Sequence, residues 1–152
     1  MNREKLKIEL GAPEHGWLPV NLAFENFDLQ FEASDVPANP VDQLITSLRN
    51  VIKGIKTEVW WHLEPQGYYF EFERIGNEYS IGIYFANSDI SDRRKVFVLT
   101  GSFNSLILPI YRAILKFIDK SYEEINWPKT HKSEIEKLIK LVKETKTTQN
   151  NV

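Results

Sequence analysis

The sequence predicts an α+β fold: a mostly antiparallel sheet of about seven strands with helices packed on one face. Three observations carry this. Two pairs of alternating apolar runs each fold back across a two-residue turn, at Glu25-Asn26 and at Gly76-Asn77. Three other stretches repeat apolar residues at helical spacing. Clusters of Gly, Pro and small polar residues separate the two kinds of segment.

In chain order, Lys5 to Leu10 reads as a short strand with Leu6, Ile8 and Leu10 on one side, followed by a Gly- and Pro-containing loop to Gly16. Trp17 to Phe24 and Phe27 to Ala33 form the first hairpin. Closing it at Glu25-Asn26 pairs Phe24 with Phe27, Leu22 with Leu29, Val20 with Phe31 and Leu18 with Ala33. Asn21, Gln30 and Glu32 are left on a wet face. Ser34 to Pro40 stops the sheet. Asn39 is a good N-cap and Pro40 suits the first helical position, where its missing N–H costs nothing. Val41, Leu44, Ile45, Leu48 and Ile52 make one buried stripe, and Gly54 ends the helix.

The next stretch, Thr57 to Phe85, is the densest in aromatic and alternating residues. Glu58 to Leu63 alternates, Glu64-Pro65-Gln66-Gly67 is a turn with Pro at its second position, and the Gly76-Asn77 hairpin follows. Its register pairs Phe72 with Ile81, Phe70 with Ile83 and Tyr68 with Phe85. In between, Tyr69 meets Tyr84, Glu71 meets Gly82 and Glu73 meets Ser80. A slip of one residue would put Glu71 and Glu73 into the core. Val59, Trp61, Leu63, Phe70, Phe72, Ile81, Ile83 and Phe85 are therefore expected inside. Asn87 to Arg94 is a polar loop, and Lys95 to Thr100 a seventh strand.

Gly101 to Ser105 opens a second helix running to about Tyr122, with Leu106, Ile107, Ile110, Ile114, Phe117 and Ile118 as its stripe; Pro109 is tolerated in a first turn, and a later start is the alternative. Ser133-Glu134-Ile135-Glu136 reads as a capping box before a third helix that buries Ile135, Leu138, Ile139 and Val142. The predicted order is β-β-β-α-β-β-β-β-α-α. Residues 1–144 are expected to form a single domain and residues 145–152 a polar, frayed tail.

At 152 residues, with 42% hydrophobic and 26% charged residues, the composition is that of a soluble globular chain. The absence of Cys excludes disulfides, thiolate metal sites and Cys nucleophiles. No signal sequence or apolar span is legible, so the cytoplasm is the expected compartment and no membrane partner is expected. The charge is uneven. From Asn21 to Asp92 there are twelve Asp or Glu against four Lys or Arg, a balance of −8, while Lys129 to Lys146 carries six Lys against three Glu. An acidic middle opposes phosphate-backbone contacts, so nucleic acid is not an expected partner.

The three His occupy no metal-ligand spacing, and no phosphate-binding Gly loop or nucleophile elbow is present. No catalytic residue, metal ligand or cofactor site is assigned. What stands out is the face opposite the core in the aromatic stretch, where Trp60, His62, Tyr69, Glu71, Glu73 and Tyr84 gather together with Glu58. Acidic residues on a polar strand face are ordinarily just solvated. Large aromatics among them point instead to cover by another element or to a binding surface.

Gly16-Trp17-Leu18-Pro19-Val20 in an early strand, Ser34 to Pro40 before the first helix, and Trp61-His62-Leu63-Glu64-Pro65 ahead of an aromatic strand give a layout over roughly the first two-thirds of the chain. This layout resembles small bacterial proteins, some encoded beside polymorphic toxins, that are taken to act as immunity proteins. The resemblance implies an intracellular binding protein and brings no catalytic residue. The expectation is therefore a non-enzymatic protein-binding module whose acidic, aromatic-bearing sheet face meets a basic protein partner. The alternative is a small-molecule-binding protein or enzyme with a pocket between the sheet and the second helix, lined by Trp61, Phe70, Phe72 and Phe117. A homodimer through an exposed sheet edge is a third possibility.

Overall fold

A computed structural model describes residues 4–120 and 122–150. Seven strands and three helices follow in the expected order: β1 (Lys7–Leu10), β2 (Trp17–Phe24), β3 (Phe27–Ser34), α1 (Pro40–Ile52), β4 (Thr57–His62), β5 (Gly67–Ile75), β6 (Glu78–Ala86), β7 (Arg94–Gly101), α2 (Leu108–Asp119) and α3 (Lys132–Asn150). The fold is α+β, and all strand pairs are antiparallel. The strands divide between two sheets, β1-β2-β3 and β4-β5-β6-β7.

Both hairpin registers are those the patterns dictate. Phe24 pairs with Phe27 and Val20 with Phe31 in the first, and Phe72 pairs with Ile81 and Phe70 with Ile83 in the second. Positive φ falls on one residue of each turn, Glu25 at 54° and Gly76 at 62°, so each turn bends at its first central position, as type II′ turns do. The β4–β5 turn differs in detail: the Glu64–Pro65 peptide is cis and Glu64 itself has φ 60°.

The two sheets meet through aromatic side chains of β3. Phe31 packs edge-on against Trp61 and Phe70, and Phe27 stacks on Phe97 with ring centres 4.4 Å apart. One hydrophobic core thus draws on both sheets and on α1, α2 and α3. The expected interior residues of the aromatic stretch are there, with Leu63 and Phe85 only partly covered.

Helix α1 starts as predicted, Asn39 Oδ1 accepting from the Val41 N–H. It lies along the free edge of β4. Gln43 Oε1 accepts the outward N–H of Trp60, and Ser47 Oγ donates to the Glu58 carbonyl. These two side chains, four residues apart and so on one helix face, satisfy an edge that would otherwise invite another strand. At the helix end, Arg74 Nη1 donates to the Ile52 carbonyl, placing a cation where the helix dipole is negative.

The second helix opens where expected, capped by Ser102, but its first residues are not α-helical. Residues Phe103–Ile107 make a π turn, with the Leu108 N–H bonded to the Phe103 carbonyl, and α2 proper starts at Leu108. The cause is Pro109. It has no N–H to give the Ser105 carbonyl, and that carbonyl accepts from the Leu6 N–H instead. The helix ends at Asp119, short of Tyr122; Ser121 lies outside the described residues.

The third helix starts one residue before the expected cap. The His131 carbonyl receives the first N–H groups, so Ser133 sits inside the helix. Glu136, which would close the box, stands 4.0 Å from Lys132 of its own helix, and Glu134 reaches Arg49 of α1, 2.5 Å away. The tail expected from Thr145 is helical to Asn150. The Thr145, Thr147 and Thr148 hydroxyls each donate to the carbonyl four residues back; residues 151 and 152 lie outside the described residues.

Candidate functional site

The alternation of β4, β5 and β6 places all six expected site residues on the outer face of the four-stranded sheet. Antiparallel pairing sets Trp60 beside Tyr69 and Tyr69 beside Tyr84, with Glu58 beside Glu71 in the next row and Glu71 beside Gly82. The face is not equally open along its length.

Its upper part is packed. The Trp60 ring lies 4.4 Å from that of Tyr69 and 5.7 Å from that of His62, and it covers Gly67, where any side chain would strike it. His62 Nδ1 is 2.6 Å from the Val36 carbonyl, which fixes Nδ1 as the protonated nitrogen that donates. Tyr69 is only 5% exposed, and its hydroxyl donates to the Asp89 carbonyl. Trp60, His62 and Tyr69 are thus held by segments that sequence spacing alone does not bring there: the loop before α1, and the β6–β7 loop, residues 87–93.

That second loop contributes the residue which organises the face. The Arg93 guanidinium carbon sits 3.4 Å from the centre of the Tyr69 ring. Its Nη1 and Nη2 donate to the two Glu58 oxygens at 2.8 and 2.9 Å, and Nη1 also reaches Glu71 Oε2 at 2.6 Å. Hydrogen bonding to Glu58, and then to Glu71, raises the proton affinity of Arg93 against the opposing effect of its partial burial. By sequence, 87–94 is a polar loop in which nothing singles out Arg93. Side-chain reach across a loop has no periodic signal to betray it.

The lower part is open. Glu73 makes a long contact of 3.8 Å with Lys56, and the Tyr84 ring leans across Gly82, leaving a shallow groove among Lys56, Glu58, Glu71, Glu73, Ser80 and Tyr84. Val98 of β7, paired with Gly82, extends this face toward the far edge and is 38% exposed. The 87–93 loop, which meets the face through Asp89 and Arg93, holds Ile90 outward at 92% exposure. An apolar residue in an otherwise polar loop is visible in the sequence, though its place next to this face is not.

Electrostatically the face is milder than the sequence count suggested. Three carboxylates, Glu58, Glu71 and Glu73, share the surface with Arg93 and Lys56, which leaves it one charge negative. The remaining acidic residues of the Asn21–Asp92 stretch are dispersed, with Asp28 and Glu32 on the three-stranded sheet and Asp42 on α1. Trp61, Phe70, Phe72 and Phe117, the residues expected to line an internal pocket, are each at most 1% exposed and pack into the core. Among the described residues, no three His, Asp or Glu side chains converge as metal ligands, and no helix is long and apolar enough to cross a membrane.

No protein-family model, curated protein or solved structure matches this chain.

Proposed function

We propose that the chain is a non-enzymatic protein-binding module that docks a basic protein partner on the lower, open half of this outer sheet face. Such a role is the one that likeness to toxin-immunity proteins implies. The observation that supports it best is the pairing of an open groove, bearing Glu73 and Tyr84, with the almost fully exposed Ile90 on the adjoining loop. An apolar anchor beside partly satisfied carboxylates suits a protein surface with a small apolar socket rimmed by Lys or Arg. Arg93 spans Glu58 and Glu71, so the carboxylate with most capacity for an incoming cation is Glu73.

The test is photo-cross-linking from position 90 in the native host, followed by the same capture with Glu73→Lys and Tyr84→Ala introduced together. These two positions avoid the packed Trp60 and Tyr69, whose removal would disturb folding as well as binding. One basic protein is expected to be captured by the parent chain and lost from the variant, with the circular dichroism spectrum unchanged. Equal capture by both chains would refute the placement.

A further inference from the structure

The edge of β1 opposite β2 is a second, independent surface. Gly11 donates its N–H to the Pro19 carbonyl, so the odd-numbered residues of this segment bond to β2, and the backbone groups of Leu6, Ile8 and Leu10 point away from it. Two of these outward groups are used within the chain: the Leu6 N–H by the Ser105 carbonyl, and the Leu10 carbonyl by Lys120 Nζ at 2.6 Å. Between them the Leu6 carbonyl, both groups of Ile8 and the Leu10 N–H have no hydrogen-bond partner among the described residues.

This free segment borders a cleft of about 670 Å³ between β1 and α2, walled by Ile8, Pro109 and Ala113. Lys5, Lys7, Arg112 and Lys116 line it. Among the described residues none of these four cations is ion-paired, unlike Arg49 and Arg93 elsewhere. Glu9 and Asp28 also border the cleft and reduce its balance to two positive charges.

We propose that this cleft takes a short, extended, acidic peptide segment of a partner protein, which adds to β1 as a further strand. An extended backbone brings both N–H and C=O groups at the spacing of the free edge, an apolar side chain can rest on Ile8 and Ala113, and flanking carboxylates meet the unpaired cations. The free carbonyls of Leu6 and Ile8 favour a peptide over contacts with a phosphate backbone. Phosphate groups only accept hydrogen bonds, so they would leave both carbonyls unsatisfied and would also face Glu9 and Asp28.

The probe is a short acetylated peptide of alternating Glu and Val, titrated into the whole protein and followed by amide resonances and hydrogen exchange. Exchange at the Ile8 and Leu10 amides is expected to slow at least about tenfold at saturation, while the Lys7 and Glu9 amides, already bonded to β2, stay as they were. Arg112→Glu with Lys116→Glu is expected to weaken binding by at least about tenfold, as is Lys5→Glu on the opposite wall, and added salt should weaken it as well. Binding that leaves Ile8 and Leu10 exchange untouched would overturn strand addition. Tighter binding of a Lys and Val peptide, or of an oligouridylate, at the same resonances would overturn the choice of an acidic peptide.

Discussion

Arg93 lies over the ring of Tyr69, its guanidinium carbon 3.4 Å from the ring centre, while its nitrogens bridge Glu58 on β4 and Glu71 on β5. One loop residue thereby closes the upper half of the outer sheet face and partly neutralises it. The arrangement depends on a planar, five-donor cation that can stack and fork at once.

Replacing Arg93 with Ala should therefore lower stability by about 1 kcal/mol, the scale of one exposed cation–π contact and a solvent-screened ion pair. Arg93→Lys should recover little, because an ammonium cannot hold two carboxylates while lying on the ring. Urea unfolding of the three proteins measures this, and a lysine variant as stable as the parent would count against it.

Gly67 is required by packing, not by its backbone angles. A Cβ there would stand 2.5 Å from the Trp60 ring and press against the Trp61 carbonyl, part of the ladder itself. Gly67→Ala should cost about 1–3 kcal/mol, the usual range for overpacking. Trp60→Ala in the same chain should not rescue it, since the carbonyl clash remains. A double-mutant cycle in chemical denaturation reports whether the second change relieves the first.

The clamp of α1 on the β4 edge should be visible in hydrogen exchange. Gln43→Ala removes the acceptor of the Trp60 N–H and Ser47→Ala removes the donor to the Glu58 carbonyl; each should cost about 0.5–1.5 kcal/mol. Exchange at the Trp60 amide should accelerate in Gln43→Ala. An unchanged rate there would mean that the helix shields the edge by bulk alone.

Glu134 ties α3 to α1 and makes that tie dependent on pH. Lys137 and Arg49 hold its carboxyl below the ordinary 4.5. A carboxyl with a depressed folded-state pKa contributes stability fully above its unfolded value and loses it as pH falls through the folded one. Glu134→Gln should thus be less stable than the parent at neutral pH, and the gap should close as pH is taken below 4.5. Urea midpoints across that range test it; a gap independent of pH would remove the charge from the account.

The local chemistry of this chain was legible to different depths. Both hairpin registers followed from two-residue turns between alternating runs, because a slip would bury Glu71 and Glu73 or expose Phe70 and Phe72. The α1 stripe and its Asn39 cap were equally plain. Where prediction and structure part, a long-range partner intervenes. The second helix opens with a π turn because the carbonyl that Pro109 cannot serve finds Leu6.

The candidate face divides in the same way. Alternation alone put Trp60, His62, Tyr69, Glu71, Glu73 and Tyr84 on one side of the four-stranded sheet, since side-chain direction in a strand is a local property. Which of them remain open was decided by tertiary structure. Arg93 and the Asp89 carbonyl arrive from a loop and Val36 from another, and the reach of such groups depends on how distant segments pack, which no period in the sequence encodes.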